Sequence, residues 1–164
     1  LLNAPKNPVK SVENLLEENK KLQKQIEAYQ KAKIQSLKQE LLQQAEAVTD
    51  EVKLIARKID VDAQNAGKDL ALELKQKDPQ AIVLLGADFD DKANIWLMIP
   101  DALAKNYDLD AGQLIKEIAA EIQGGGGGKP TFATAGGKDP SQLDAALDKG
   151  KRLLIEQLKA FTEN

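Results

Sequence analysis

The sequence predicts an α+β protein, in which a long N-terminal coiled-coil-like helix is followed by a small mixed-sheet α/β domain with helices packed on the sheet. Residues 9–48 lack glycine and proline and are rich in Lys, Gln, Glu and Leu, all good helix formers. Beyond them, apolar runs of strand length alternate with amphipathic helical segments. We therefore predict a helical segment over residues 1–48 and a globular domain over residues 49–164.

The composition excludes several classes of protein. The chain has no cysteine, which excludes a disulfide and a thiolate nucleophile. It also has no histidine, the commonest acid/base residue, so we expect no catalysis here. No segment resembles a bilayer span or a signal peptide, which predicts a cytoplasmic protein without a membrane partner. The net charge is −3, so any nucleic-acid site must be a local arrangement. The chain opens with Leu1 rather than methionine, and we expect an upstream portion.

The predicted long helix carries a short coiled-coil seam. Its apolar residues are three or four positions apart, as in a heptad repeat, and Asn19 at a core position would fix the register. A helix of this length spans roughly 60 Å at about 1.5 Å per residue, so the seam needs a partner, either a second copy or an upstream helix. The candidate dimerisation residues are Val12, Leu15, Asn19, Leu22, Ile26 and Tyr29, with Ile34, Leu37 and Leu41 continuing after a one-residue slip.

The globular part begins with alternating strand and helix signals. A mixed pattern over residues 52–59 predicts a strand, and Asp60 and Asp62 open a helix predicted over residues 63–76. The apolar runs 81–85 and 95–99 predict two further strands. The polar residues 88–92 between them predict a hairpin tip.

Two capping signatures predict the last two helices. Asp110 with Gln113 three residues later forms a capping box ahead of an apolar stripe. Asp139 at the N-cap with Pro140 at the first helical position begins the final helix.

The segment 124–138 between these helices is the most unusual part of the sequence. A flexible linker is the plain interpretation, but the flanking helices need one common core, which favours an ordered loop. Glycines admit positive φ and expose bare N–H groups, so the loop is predicted to form a concave surface for phosphate or ribose. Lysines 129, 138, 149 and 151 with Arg152 form a candidate basic rim.

Other known sites fit the sequence poorly. Pro130 stands where a phosphate-binding Walker loop needs Ser or Thr, and Lys129 stands where a dinucleotide fingerprint needs its third glycine. The acidic residues at 88, 90 and 91 lack the spacing of a calcium loop. Trp96 lies in an apolar strand, which predicts a core position.

The run of glycines, Lys129-Pro130, small residues and Gly136-Gly137-Lys138-Asp139-Pro140 resembles the DHH-associated domain of alanyl-tRNA synthetases. The resemblance implies a cytoplasmic, non-catalytic C-terminal region that binds the tRNA elbow, alanine-specific tRNA being the partner rather than DNA, and that dimerises. It also implies that aminoacylation, editing and the ATP, Mg and Zn sites lie upstream, with no cofactor in this region. Carried over by position, the RNA-binding residues are Gly124, Gly125, Gly126, Gly127, Gly128, Lys129, Pro130, Gly136, Gly137 and Lys138.

Two alternatives remain open from the sequence. The region could serve chiefly as a dimerisation module with weak RNA binding. It could also be the accessory substrate-binding domain of a DHH-type phosphoesterase.

Overall fold

The computed structural model describes residues 7–61 and 64–162. Its internal contacts divide the chain into two units, Leu1–Leu37 and Lys38–Asn164. Within the described residues, no helix combines the length and the apolar content that crossing a bilayer requires.

The first helix, α1, spans Pro8–Gln43. Asn7 caps it, since its Oδ1 accepts a hydrogen bond from the Lys10 N–H at 3.3 Å. The predicted long helix is therefore present, but it ends at Gln43 rather than at residue 48. Its last residues belong to the globular unit, because Leu41 is buried and the Lys38 ammonium donates to Glu73 Oε2 at 2.7 Å.

Strand pairing, which local propensity cannot reveal, ends the helix early. Glu46–Ala47 form a short strand, β1, that pairs antiparallel with β2, Lys53–Lys58. Thr49 shapes the turn between them, because its Oγ1 accepts a hydrogen bond from the Val52 N–H at 3.1 Å. The strand predicted over residues 52–59 is thus confirmed, and it gains an edge partner that was not predicted.

The six strands form one mixed sheet in the order β1-β2-β3-β4-β6-β5. The remaining strands are β3 (Ala81–Phe89), β4 (Lys92–Met98), β5 (Gly124–Lys129) and β6 (Phe132–Gly137). Only β2 and β3 are parallel, and helix α2, Gln64–Lys77, connects them. This arrangement confirms the predicted α+β class with a mixed sheet.

Helix α2 agrees with the helix predicted over residues 63–76. Leu70 and Leu74, one turn apart on its predicted apolar face, are fully buried. Asp62 and Ala63, where the helix was predicted to begin, lie outside the described residues.

The predicted hairpin joins β3 and β4. Asp90 and Asp91 both have positive φ, 51° and 55°, as a two-residue type I′ turn requires. Strand β3 continues to Phe89, four residues past the predicted apolar run, because Asp88 pairs with Ala93 in the ladder.

Three helices follow β4, one of which was not predicted. Asp101–Asn106 form α3, directly after Pro100, which fits the position before a helix as well as it fits the end of a strand. Helix α4, Ala111–Ala119, begins at the predicted cap, where Asp110 Oδ1 accepts from the Gln113 N–H at 3.1 Å. A 3-10 turn capped by Asp139 leads into α5, Leu143–Thr162.

The helices cover the two faces of the sheet unequally. Trp96 points to α2, where a Cβ added to Gly67 would lie 2.5 Å from its ring, and it is buried as predicted. Leu84 points to the opposite face, where α5 approaches closely at Gly150. Helix α2 packs on β3 and β4, whereas β5 and β6 receive their helix contacts from α4 on the other face. Within the described residues, the α2 side of β5 and β6 is therefore not packed against a helix.

Candidate nucleic-acid interface

The glycine segment is a β-hairpin at the edge of the sheet. Gly124 pairs with Gly137 and Lys129 with Phe132, and β5 is the outermost strand. The prediction of a concave loop with positive φ is wrong, because no glycine among the described residues has a positive φ. Five glycines in succession have no alternating side chains, so their period of two was invisible in the sequence.

Packing requires every second glycine of β5. A Cβ added at Gly124, Gly126 or Gly128 would lie 2.0, 2.7 or 2.3 Å from a backbone oxygen of β6. Those oxygens belong to paired strands and cannot move aside cheaply. Helix α4 adds a second close approach, since a Cβ on Gly112 would lie 2.7 Å from the Gly128 oxygen.

The other two glycines of β5 face open space. A Cβ added at Gly125 or Gly127 would have no neighbour within 4 Å. Their partners in the ladder are Gly136 and Thr134, which are both exposed. These four residues form the surface we call the open face. Nothing in the packing of the described residues explains why Gly125 and Gly127 lack side chains.

Lys129 and Lys138 stand at opposite ends of the hairpin. Lys129 precedes the turn at Pro130, whose carbonyl accepts a hydrogen bond from the Ala111 N–H at 2.9 Å. Lys138 follows Gly137 at the other end, so the two lysines are separated by roughly 20 Å at about 3.3 Å per residue. Both are exposed, and neither forms an ion pair within the part of the chain that the structure describes.

The remaining members of the candidate basic rim lie on α5, away from the open face. Lys149 donates to Glu121 at 2.9 Å, and Lys151 donates to Glu46. The hydrogen bond from Lys151 holds the pKa of the Glu46 carboxyl below its ordinary value, with a further contribution from the charge of Arg57. The rim does not assemble around the glycine segment, because its α5 lysines are already paired with carboxylates.

A groove borders the open face on the side of α2. It has a volume of about 420 Å³, and its lining includes Asn65 and Lys68 of α2 and Phe132 and Thr134 of β6. The Lys68 ammonium lies 5.8 Å from the centroid of the half-buried Phe132 ring. The groove therefore offers a cation, an amide and an aromatic ring beside the bare strand.

The profile of the DHHA1 domain matches residues 50–156, which include β2 to β6 and most of α5. The chain belongs to the DHHA1 domain family. Its DHHA1 domain contains the whole open face and the groove beside it.

Curated relatives of this DHHA1 domain carry the name alanine–tRNA ligase. The protein of Christiangramia forsetii is 41% identical over 148 residues, and that of Cytophaga hutchinsonii is 41% identical over 154 residues. These matches cover 90% and 94% of the chain but only 17% of each relative. Among solved structures, the C-Ala domain of Aquifex aeolicus alanyl-tRNA synthetase matches with a TM-score of 0.59 and 26% identity, covering 70% of the chain and 97% of that domain. The resemblance to alanyl-tRNA synthetases is thereby confirmed.

The candidate seam precedes the DHHA1 domain, in the first unit of the chain. Each of its five apolar side chains is at least half exposed, and Asn19 is exposed with them. Tyr29 is the most exposed of these five apolar side chains, at 78%. Within the described residues the seam is therefore an uncovered apolar stripe, and its role in dimerisation stays a prediction. The set consists of Val12, Leu15, Asn19, Leu22, Ile26 and Tyr29.

Sequence reasoning missed Asn65 and Lys68 as neighbours of the glycine segment of the DHHA1 domain. They lie about 60 residues upstream, on a helix that also exposes Asp69, Gln76 and Lys77, so no local pattern distinguishes them. An indirect signal is Gly67, a glycine inside a helical pattern. It lies against the Trp96 ring and so marks where α2 contacts β4.

Proposed function

We propose that this chain is the C-terminal, tRNA-binding part of an alanine–tRNA ligase, and that its open face contacts the elbow of alanine-specific tRNA. The chain itself performs no bond-making in this proposal. Aminoacylation and editing, with their ATP, Mg and Zn, belong to upstream domains. The relatives named alanine–tRNA ligase support the parent enzyme, and the open face supports the mode of binding.

The observation that carries the proposal is the pair of glycines that packing does not require. A bare strand allows a ribose–phosphate backbone to approach closer than any side chain would permit. Lys129 and Lys138 at the two ends, which have no ion pair among the described residues, supply positive charge for phosphates. The chain is acidic overall, but its net charge does not prevent binding here, because only the charges near the phosphates of the RNA backbone act on them.

A test of this proposal measures tRNA affinity of the full chain over a series of salt concentrations. Lys129→Ala is expected to weaken binding and to lower the salt slope by roughly one unit. Lys116→Ala, at another exposed lysine, on α4, is the matched control and should leave the affinity and the salt slope unchanged. Gly127→Val is expected to abolish most binding while the domain stays folded, because its side chain projects into open space. Full affinity in Gly127→Val would refute binding through the open face.

A second role is dimerisation through the seam, for which the uncovered apolar stripe of α1 is the supporting observation. In such a coiled coil Asn19 would lie at the interface and select the register. Sedimentation of the full chain at micromolar concentration tests this role. Leu15→Lys with Leu22→Lys should give a monomer, whereas Gln23→Lys with Gln30→Lys, which add the same charge at polar positions, should not. A parent chain that sediments as a monomer would refute dimerisation through the seam.

A further inference from the structure

We infer that the groove beside the open face is a stacking site for one unpaired nucleobase of an RNA loop, held on the ring of Phe132. This inference rests on the proposed function and adds a contact to a base, where the open face contacts the backbone. Four residues of the lining carry it: Phe132 as the platform, Lys68 as the movable cation, and Asn65 and Thr134 as polar neighbours.

The first step concerns the position of Phe132. Phe132 is two residues from Thr134 and four from Gly136 along β6, so its ring stands on the same side of the sheet as the open face. Its partners in the ladder are Met98 on β4 and Lys129 on β5. Met98 is buried and Phe132 is only half-buried, because α2 does not extend over β6. An aromatic side chain that remains accessible next to a bare strand provides a flat surface for a base.

The second step concerns Lys68, whose ammonium is the charged group in contact with that ring. Its ammonium lies over the ring at 5.8 Å from the centroid, and it forms no ion pair within the described residues. An exposed cation–π contact is weaker than the stacking of a base on an aromatic ring, so a base displaces the ammonium. The released ammonium then reaches a phosphate of the same nucleotide or of its neighbour.

The third step concerns size and hydrogen bonding. A volume of about 420 Å³ falls within the range of small-ligand sites, roughly 300–1,000 Å³. Asn65 is exposed and lines the groove, so its amide can pair with the edge of a stacked base. The buried Asn94 serves a different role, because its Nδ2 already donates to the Lys92 carbonyl at 3.1 Å. A base in a double helix could not enter, so the ligand is an unstacked one.

The test compares a labelled mixed-sequence hexaribonucleotide with an abasic hexamer that has the same phosphates, using fluorescence anisotropy on the full chain. The parent chain should bind the base-containing hexamer more tightly than the abasic one. Phe132→Leu should lower the affinity for the base-containing hexamer about tenfold and leave the affinity for the abasic hexamer unchanged. Phe132→Trp should restore the affinity for the base-containing hexamer. Phe161→Leu, at an exposed phenylalanine on α5, is the matched control. Lys68→Met should lower the salt slope and preserve the ratio between the two hexamers.

Equal affinity of the parent chain for both hexamers, or an unchanged affinity in Phe132→Leu, would overturn the stacking site. If Gly127→Val loses tRNA while Phe132→Leu keeps it, only the stacking site falls and the open face stands. If the parent chain binds neither tRNA nor hexamer at low salt, both proposals fall.

Discussion

Alanine substitutions along β5 are predicted to change stability with a period of two. At Gly126 an added Cβ would lie 2.7 Å from the Thr134 oxygen and 2.8 Å from the Ala135 Cβ, and both atoms are held in the sheet. Overpacking of this kind lowers the free energy of unfolding by about 1–3 kcal/mol. At Gly127 nothing lies within 4 Å, so alanine only restricts the unfolded chain, which raises the free energy of unfolding by about 0.4–1 kcal/mol.

These values convert to opposite shifts of the unfolding midpoint. One kcal/mol corresponds to about 2–4 °C for a chain of this size. Gly126→Ala should therefore lower Tm by roughly 2–12 °C, and Gly127→Ala should raise it by roughly 1–4 °C. Thermal unfolding followed by circular dichroism measures both. Equal shifts in the same direction would refute the argument, because they would mean that the two glycines share one environment.

Three further predictions concern other parts of the domain. Asp110→Ala should lower the free energy of unfolding by about 1 kcal/mol in a denaturant titration, since the cap of α4 is lost, whereas Asp110→Asn should retain most of it. Gly67→Ala should lower it by about 1–3 kcal/mol and shift the emission of Trp96, the only tryptophan, and an unshifted spectrum would contradict the close contact. The lowered pKa of Glu46 contributes stability above the ordinary pKa of 4.5, and this contribution is lost as the pH falls through the folded value. Glu46→Gln should therefore have a lower free energy of unfolding than the parent at pH 7, by under about 1 kcal/mol, because the ion pair with Lys151 is partly exposed to solvent. Denaturant titrations at pH 7 and in acid measure this difference, which should vanish in acid.

The sequence predicts those elements whose signals are local. Caps such as Asp110 and Asp139 act on amides two or three residues away, so their chemistry is complete within the sequence. The Asp90-Asp91 turn is equally local, because both residues tolerate positive φ. The end of α1 is not local, since Glu46 joins the sheet only through Leu54, and helix propensity says nothing about that pairing.

The candidate site divides in the same way. The sequence marks the glycine segment between Lys129 and Lys138 as unusual, but it cannot assign a strand to residues that have no side chains. The groove depends on the register that brings Phe132 beside β4 and on the crossing of α2, which places Lys68 over the ring. Both depend on tertiary packing, so no motif in the sequence announces them.

The unequal cover of the sheet has a consequence for its motions. Strand β3 is central and has helices on both faces, so its amide protons should exchange with solvent only when the whole domain unfolds. Strand β5 has one neighbouring strand, one helix layer and no side chains on five of its six residues, so its outward amides should exchange through local opening. The edge can therefore bend to follow a curved partner while the centre of the sheet stays rigid.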